Sequence, residues 1–303
     1  NPLKALINSL LRIYILLPKK IYAILTNFFD KINFFKGKKT SIKVSNFNKF
    51  LITFIAILFC YLFYLTIPNL YDKLWVQQTI EKKLVSEFNI NFDLSSDLSY
   101  VILPSPHFLI KNAVINENNN NIKKVADIKN LKVFISQKNL FNKNKLFIKK
   151  VIISESNFIF NFKNFEFITN LINNKFSEKK LFIKKTNLFL KDDQNDTLLI
   201  NKVHNGDFFY DNEKELNQFL LKGKVFNIPY SLNLQNDLTN KKLESMITSK
   251  KLKLKFNNIL YDQDKFKNGS TDLFFMNSRI SHDYKIIDNE FSFSSKNSSI
   301  TGN

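Results

Sequence analysis

Five glycines, six prolines and one cysteine are spread over 303 residues, and each scarcity excludes a class of chemistry. The one cysteine, Cys60, lies inside an apolar run, so an internal disulfide framework and a Cys-x-x-Cys motif are both ruled out. So few glycines leave no Gly-rich phosphate loop and no G-x-S-x-G nucleophile elbow. Histidines are equally rare. His107, His204 and His282 are scattered, with no second histidine or carboxylate at ligand spacing, which argues against a metal centre or a catalytic triad. The acid pair Asp192-Asp193 falls in a predicted hairpin turn, where Asp is favoured for backbone reasons. No enzyme, metal or cofactor is expected.

Acidic residues are scarce too: 26 against 45 Lys and Arg, for a net charge of +19. Nucleic acid is the usual partner of so basic a chain. Here, however, no predicted helix carries a basic stripe and no aromatic ribonucleoprotein motif occurs, so nucleic acid is not an expected partner. Lys, Asn, Ile and Phe abound while Ala occurs only five times, the bias of an AT-rich coding sequence. Nearly half the charge sits in residues 1–49, where ten Lys and Arg face the single acid Asp30.

Directly after this leader comes what the chain does have, an eighteen-residue run without a charge, Phe50–Ile67 (FLITFIAILFCYLFYLTI). At about 1.5 Å per residue such a helix is roughly 27 Å long, close to the thickness of a bilayer's hydrocarbon core. Lys and Arg flanking a span stay cytoplasmic. The leader is therefore expected inside, with Tyr71 and Trp75 at the far interface and the remainder outside. A cleaved signal is not expected, because Pro68-Asn69-Leu70 has no small-residue cleavage pattern. Phe59 is likewise too bulky to precede a lipoprotein cysteine at Cys60. Three segments result: a basic leader (1–49), a transmembrane helix (50–67) and an outer domain (68–303). In the leader, 3–17 and 19–35 read as interfacial amphipathic helices or as a plain cytoplasmic tail. The pattern breaks off at Thr301-Gly302-Asn303, as expected of a piece of a longer protein.

In the outer domain Val76, Ile80, Leu84 and Phe88 recur every fourth residue and predict an amphipathic helix over about 74–88. A second is predicted at about 164–176, with Phe165, Ile168, Leu171, Ile172 and Phe176 on its apolar side. Elsewhere the period is two, plainest in Phe158, Phe160, Phe162 and in Lys251–Phe256. Turn signals at short intervals favour a meandering antiparallel sheet over βαβ units. Leu146–Lys150 (LFIKK) recurs as Leu181–Lys185, thirty-five residues on, and predicts a structural repeat.

The layout over residues 50–200 resembles the start of AsmA-like proteins of Gram-negative bacteria. The resemblance is carried by the anchor, the helix after it, the strand opening Ile90-Asn91-Phe92, and Leu98–Ile115 around Pro104-x-Pro106. Val125–Val133 and Leu146–Ile153, with Leu140-Phe141 between them, complete it. The leader is longer than that family's usual cytoplasmic tail. The resemblance implies an inner-membrane protein with a long, curved, mainly β periplasmic domain, related to bridge-like lipid-transfer proteins. Members of the family are linked to phospholipid supply and outer-membrane assembly.

The residues suit that role. A sheet with one apolar face must cover it, close into a barrel or lend it to a lipid, and two helices are too few to cover eight or more strands. Phe158, Phe160, Phe162, Leu188, Leu190, Leu252, Leu254 and Phe256 are the expected acyl-chain contacts. The bland reading of the same positions is closed core. Lys149, Lys150, Lys184 and Lys185 are candidates for headgroup contact, although solvated strand edges that block aggregation are the more usual role of such lysines. Phospholipid and the inner membrane are thus the expected partners. The alternative is a lipid-free scaffold for periplasmic or outer-membrane assembly proteins, or an envelope β-domain of unrelated ancestry.

Overall fold

The structure, a computed structural model, describes residues 46–117, 124–161, 165–263, 266–288, 290–295 and 301–302. The leader helices expected at 3–17 and 19–35, and Phe162, lie outside these residues. Contacts divide the chain into two units, Asn1–Ile67 and Pro68–Asn303.

In the first unit, α1 (Asn46–Thr66) is apolar on every side, and its large side chains are exposed, with Phe59 at 71% and Phe63 at 68%. A helix apolar all round fits a bilayer or a deep core, and this one is not buried. It contributes most of Phe50–Leu70, the one segment among the described residues long and apolar enough to cross a membrane.

The second unit opens with α2 (Lys73–Phe88). The Asp72 carboxylate caps it by accepting from the Trp75 amide at 2.8 Å, and Asn89 ends it in the left-handed region. Tyr71 packs edge-on against Trp75 and donates its hydroxyl to the Leu140 carbonyl. The predicted stripe Val76, Ile80, Leu84 and Phe88 is fully buried. On the same helix Glu81 accepts from the Leu94 amide (3.0 Å) and Gln77 donates to the Leu94 carbonyl (2.6 Å), which clips α2 to the chain after the first strand.

The rest is mainly β. In chain order the strands are β1 (Asn91–Asp93), β2 (Leu98–Val101), β3 (His107–Asn116), β4 (Lys124–Ile135) and β5 (Ile148–Asn161). After the helix α3 (Phe165–Asn173) come β6 (Lys180–Lys191), β7 (Thr197–Asp211), β8 (Leu216–Val225), β9 (Ile228–Asp237) and β10 (Lys242–Ser249). The last are β11 (Leu254–Gln263), β12 (Phe266–Phe275), β13 (Ser278–Ile287), β14 (Glu290–Ser295) and β15 (Thr301–Gly302). They form one unclosed, curved sheet in which β3 to β15 follow one another in sequence order. β1 and β2 share the free edge of β3.

Four sequence expectations need correction. The sheet is not wholly antiparallel: β5 and β6 pair in parallel, because α3 and the segment after it bring the chain back to the start of the next strand. The helix ends at Asn173, so Phe176 lies beyond it. Leu252 belongs to the 250–253 turn and not to a strand, since β11 starts at Leu254 behind a left-handed Lys253. The repeat has an offset of thirty, not thirty-five. Val151 pairs with Leu181, Ile153 with Ile183, Phe158 with Leu188 and Phe160 with Leu190. Ser156 and Thr186 join hydroxyls at 2.7 Å, and Asn187 donates to Asn157 at 2.9 Å. The repeating unit is therefore Lys149–Asn161 over Lys179–Lys191.

Both copies share a kink. Glu155 and Lys185 have φ of 54° and 49°, and Asn112 on β3 has 57°. With Lys129 and His204 these residues make one row across β3 to β7, and His204 is the extra residue of a bulge against β8. At the row two successive residues of each strand face away from the core, after which alternation resumes with its phase shifted by one. The shift keeps Ile110 and Ala113, or Ile153 and Ser156, on the same inner face while the strands bend. Since β-branched residues tolerate positive φ worst, Lys185→Val is expected to cost about 1–2 kcal/mol. Lys185→Gly is expected to cost nothing or to stabilise slightly. Thermal melts of the two variants check this.

Candidate lipid-binding face

The inner face carries an apolar row that crosses twelve strands without changing register. It runs Leu98, Ile110, Leu131, Ile153, Ile183, Gly206, Leu221, Leu232, Ile247, Phe256, Leu273, Ile280, from β2 to β13. At about 4.8 Å per strand it is roughly 50 Å long. Its one residue without a side chain is Gly206, where a Cβ would come within 2.8 Å of Leu221 Cδ2.

Two halves of this face differ in cover. Over β3 to β9 it is roofed. The α2 stripe is buried, and so are inner side chains such as Phe108, Ile110, Leu131 and Ile153, none more than 1% exposed. Phe88, Phe176, Phe219 and Phe208 then form a chain of ring contacts 5.3–5.9 Å apart. Beneath α3 lies a cavity of about 290 Å³ whose nineteen lining side chains are all aliphatic or phenylalanine. Among them are Ile153, Phe158, Phe160, Leu188, Phe219 and Leu234.

From β10 onward no described element roofs the face. Ile247, Phe256 and Leu273 are half-exposed, and Ile280 (46%), Phe275 (41%) and Phe291 (50%) are exposed. The neighbouring row turns polar there: Leu181, Phe208, Phe219 and Leu234 are followed by Ser245, Asn258, Thr271 and His282. Asn258 Oδ1 accepts from Thr271 Oγ1 and from Tyr284 Oη, both at 2.9 Å, whereas His282 Nδ1 is buried without a hydrogen-bond partner among the described residues.

What holds the roof over the cavity is a pair of inward-facing asparagines. Asn217 is fully buried; its Nδ2 donates to the Ile172 carbonyl (3.0 Å) and the Asn174 carbonyl (2.7 Å), and its Oδ1 accepts from the Phe176 amide (2.8 Å). Asn236, opposite it on β9, donates to the Ile172 carbonyl at 2.8 Å. The open carbonyls at the end of α3 are thus satisfied by the sheet below. No expectation from the sequence included these residues, although an amide at an inward position of the alternating run Leu216–Leu221 was the available signal. Near the cavity's edge, burial pushes the Tyr230 phenol above its ordinary range, and the hydrogen bond from Asn201 partly offsets this.

No family model and no curated protein matches this chain.

The expected acyl-chain contacts divide between the two halves. Phe158, Phe160 and Leu188 line the roofed cavity, Leu190 stands beside Phe160 on the next strand, and Leu254 and Phe256 lie in the open half. Leu252 is in its turn. The four lysines do not form one site. Lys184 and Lys185 sit on the outer side of the kinked row, displaced from Lys149 and Lys150 by the corrected register.

Lys149 and Lys150 instead enter a cleft of about 740 Å³ at the beginnings of β5 and β6, with Lys175, Lys179, Lys180, Glu87, Glu178 and Phe176. Lys179 is ion-paired to Glu87, and Ser177 Oγ donates to the same carboxylate at 3.3 Å. Of the histidines, His107 stacks on Phe134 and donates from Nδ1 to the Ser105 carbonyl (2.8 Å), and His282 meets Phe293 edge-on. Among the described residues no three His, Cys, Asp or Glu side chains cluster as metal ligands would. Asp192 accepts from the amides of Gln194 (2.9 Å) and Asp196 (2.8 Å), the local turn role read from the sequence.

Proposed function

We propose that this chain is a membrane-anchored, AsmA-like protein that binds phospholipid acyl chains along its inner sheet face and passes them across the open half. The observation that carries this reading is the unbroken apolar row that leaves the roofed cavity and continues over β10 to β13 without cover. Soluble monomers rarely leave so long an apolar strip to water, and such patches mark interaction sites. Acyl chains match it in chemistry and in its linear form. Phe50–Leu70 is read as the anchor, and the basic leader keeps the N-terminus cytoplasmic. The sheet then lies in the periplasm of a Gram-negative cell, where lipid moving toward the outer membrane would follow the row. The process is passive, with no covalent step and no cofactor.

Native mass spectrometry with lipid extraction, on the full chain isolated from bacterial membranes in a mild detergent, tests this. Phospholipid at one or more per chain, resistant to extensive delipidation by detergent, is the expected result. A folded chain that is lipid-free after the same washing overturns the reading and leaves a protein-assembly scaffold as the better account of the open face.

A further inference from the structure

The parallel pairing of the two repeats brings their Lys-Lys doublets together. Lys150 is in register with Lys180, and Lys149 and Lys179 stand one residue before them. Neighbouring strands are about 4.8 Å apart, and like charges opposite one another at that distance destabilise a sheet. The cleft holds five lysines against two carboxylates, and one of those, Glu87, is engaged by Lys179. Lys149, Lys150, Lys175 and Lys180 have no carboxylate partner among the described residues. Three of them are held over aromatic rings: Lys150 over Phe134 (4.6 Å), Lys175 over Tyr210 (4.1 Å) and Lys180 over Phe209 (4.6 Å). Ring contacts place an ammonium group without neutralising it. The result is a positioned, under-compensated group of cations in a cleft of about 740 Å³, the size of a small-molecule site.

This cleft and the apolar cavity share one wall residue. Phe176 lines both, with the cations on one side and the aliphatic pocket under α3 on the other. An amphiphile with a negative head fits that juxtaposition.

We propose that the lysine cleft receives the phosphate of an anionic amphiphile whose acyl chains enter the cavity behind Phe176, so that the protein selects anionic over zwitterionic lipid. Lysine acts as a point charge toward phosphate, which suits a phosphodiester that presents no fixed bidentate geometry. The inference rests on the lipid-binding reading above and adds selectivity to it.

A competition measured by native mass spectrometry on the full chain in mild detergent tests it. The protein is offered equimolar phosphatidylglycerol and phosphatidylcholine with identical acyl chains. The wild type is expected to bind phosphatidylglycerol with a preference of at least about tenfold, the order expected of one charged hydrogen bond. Combined Lys149→Gln, Lys150→Gln and Lys180→Gln should bring the ratio to about one through weaker binding of phosphatidylglycerol. Lys250→Gln with Lys251→Gln, in a distant turn, removes charge elsewhere and should keep the preference. An unselective wild type, or a cleft variant that remains selective, overturns the proposal while the lipid reading stands. If neither lipid binds, both readings fall. If inorganic phosphate or glycerol phosphate displaces the lipid at similar concentration, the cleft is a site for free phosphates and the amphiphile is overturned.

Discussion

Phe256→Asp is expected to remove lipid from the open half of the sheet while leaving the strands folded, and Phe158→Asp to destabilise the fold severely. Both residues stand on the inner face, and both belong to clean alternating runs. Their surroundings differ. Phe256 is half-exposed in the unroofed row between Ile247 and Leu273, so an aspartate there keeps its hydration and costs about 1 kcal/mol or less. It places a charge where an acyl chain would lie, which an apolar ligand cannot compensate. Phe158 is 6% exposed beneath α3, and a carboxylate there has no partner in a pocket lined only by hydrocarbon. That substitution should cost more than about 3 kcal/mol, or roughly 6–12 °C in melting temperature for a domain of this size. The check is a melt monitored by circular dichroism, beside the lipid content of each variant. If Phe256→Asp unfolds the sheet as thoroughly as Phe158→Asp, the outer strands are closed core and the open-groove reading falls. If it leaves lipid content unchanged, the lipid lies elsewhere.

The second large effect is expected at Asn217. Its amide satisfies two carbonyls and one backbone N–H, all at the end of α3 or in the segment after it. Asn217→Leu fills similar volume but removes the partner of the Asn174 carbonyl and of the Phe176 amide, each at about 1–3 kcal/mol, and leaves the Ile172 carbonyl to Asn236 alone. The sum exceeds what one helix of nine residues can withstand, so α3 is expected to detach while the strands remain paired. Hydrogen exchange should show lost protection at 165–177 with β3 to β5 unchanged, together with increased binding of an apolar dye. Uniform loss of protection across the sheet would show instead that α3 is integral to the core and not a separable roof. Because Lys175 and Phe176 lie on the same segment, the variant should also lose lipid selectivity.

Local patterns in the sequence carried much of this fold. The buried stripe of α2 was legible because a repeat of four at Val76, Ile80, Leu84 and Phe88 has one regular solution, a helix with one face covered. The mainly β character after it was equally legible from period-two runs and turn residues. The kinked row was not. Left-handed Glu155 and Lys185 are ordinary exposed residues by type, and the phase shift they cause makes the alternation look irregular although the row is continuous across β3 to β7. The true repeat was hidden for the same reason: identity favoured LFIKK at thirty-five, while shared backbone geometry and the Ser156–Thr186 and Asn157–Asn187 pairs select thirty.

By itself, then, the sequence determined composition-limited chemistry, one apolar segment of membrane-spanning length, and a sheet with one apolar face. Those properties follow from residues close together in the chain, where periodicity and charge speak directly. Which part of that face is roofed, which lysines meet, and which asparagines hold α3 down were decided only by tertiary structure. Each depends on strand register or helix docking between residues about thirty to sixty positions apart, as in Lys150 beside Lys180 or Asn236 under Ile172. A shift of one residue in such pairing exchanges the two faces of a strand, and no local pattern encodes that choice.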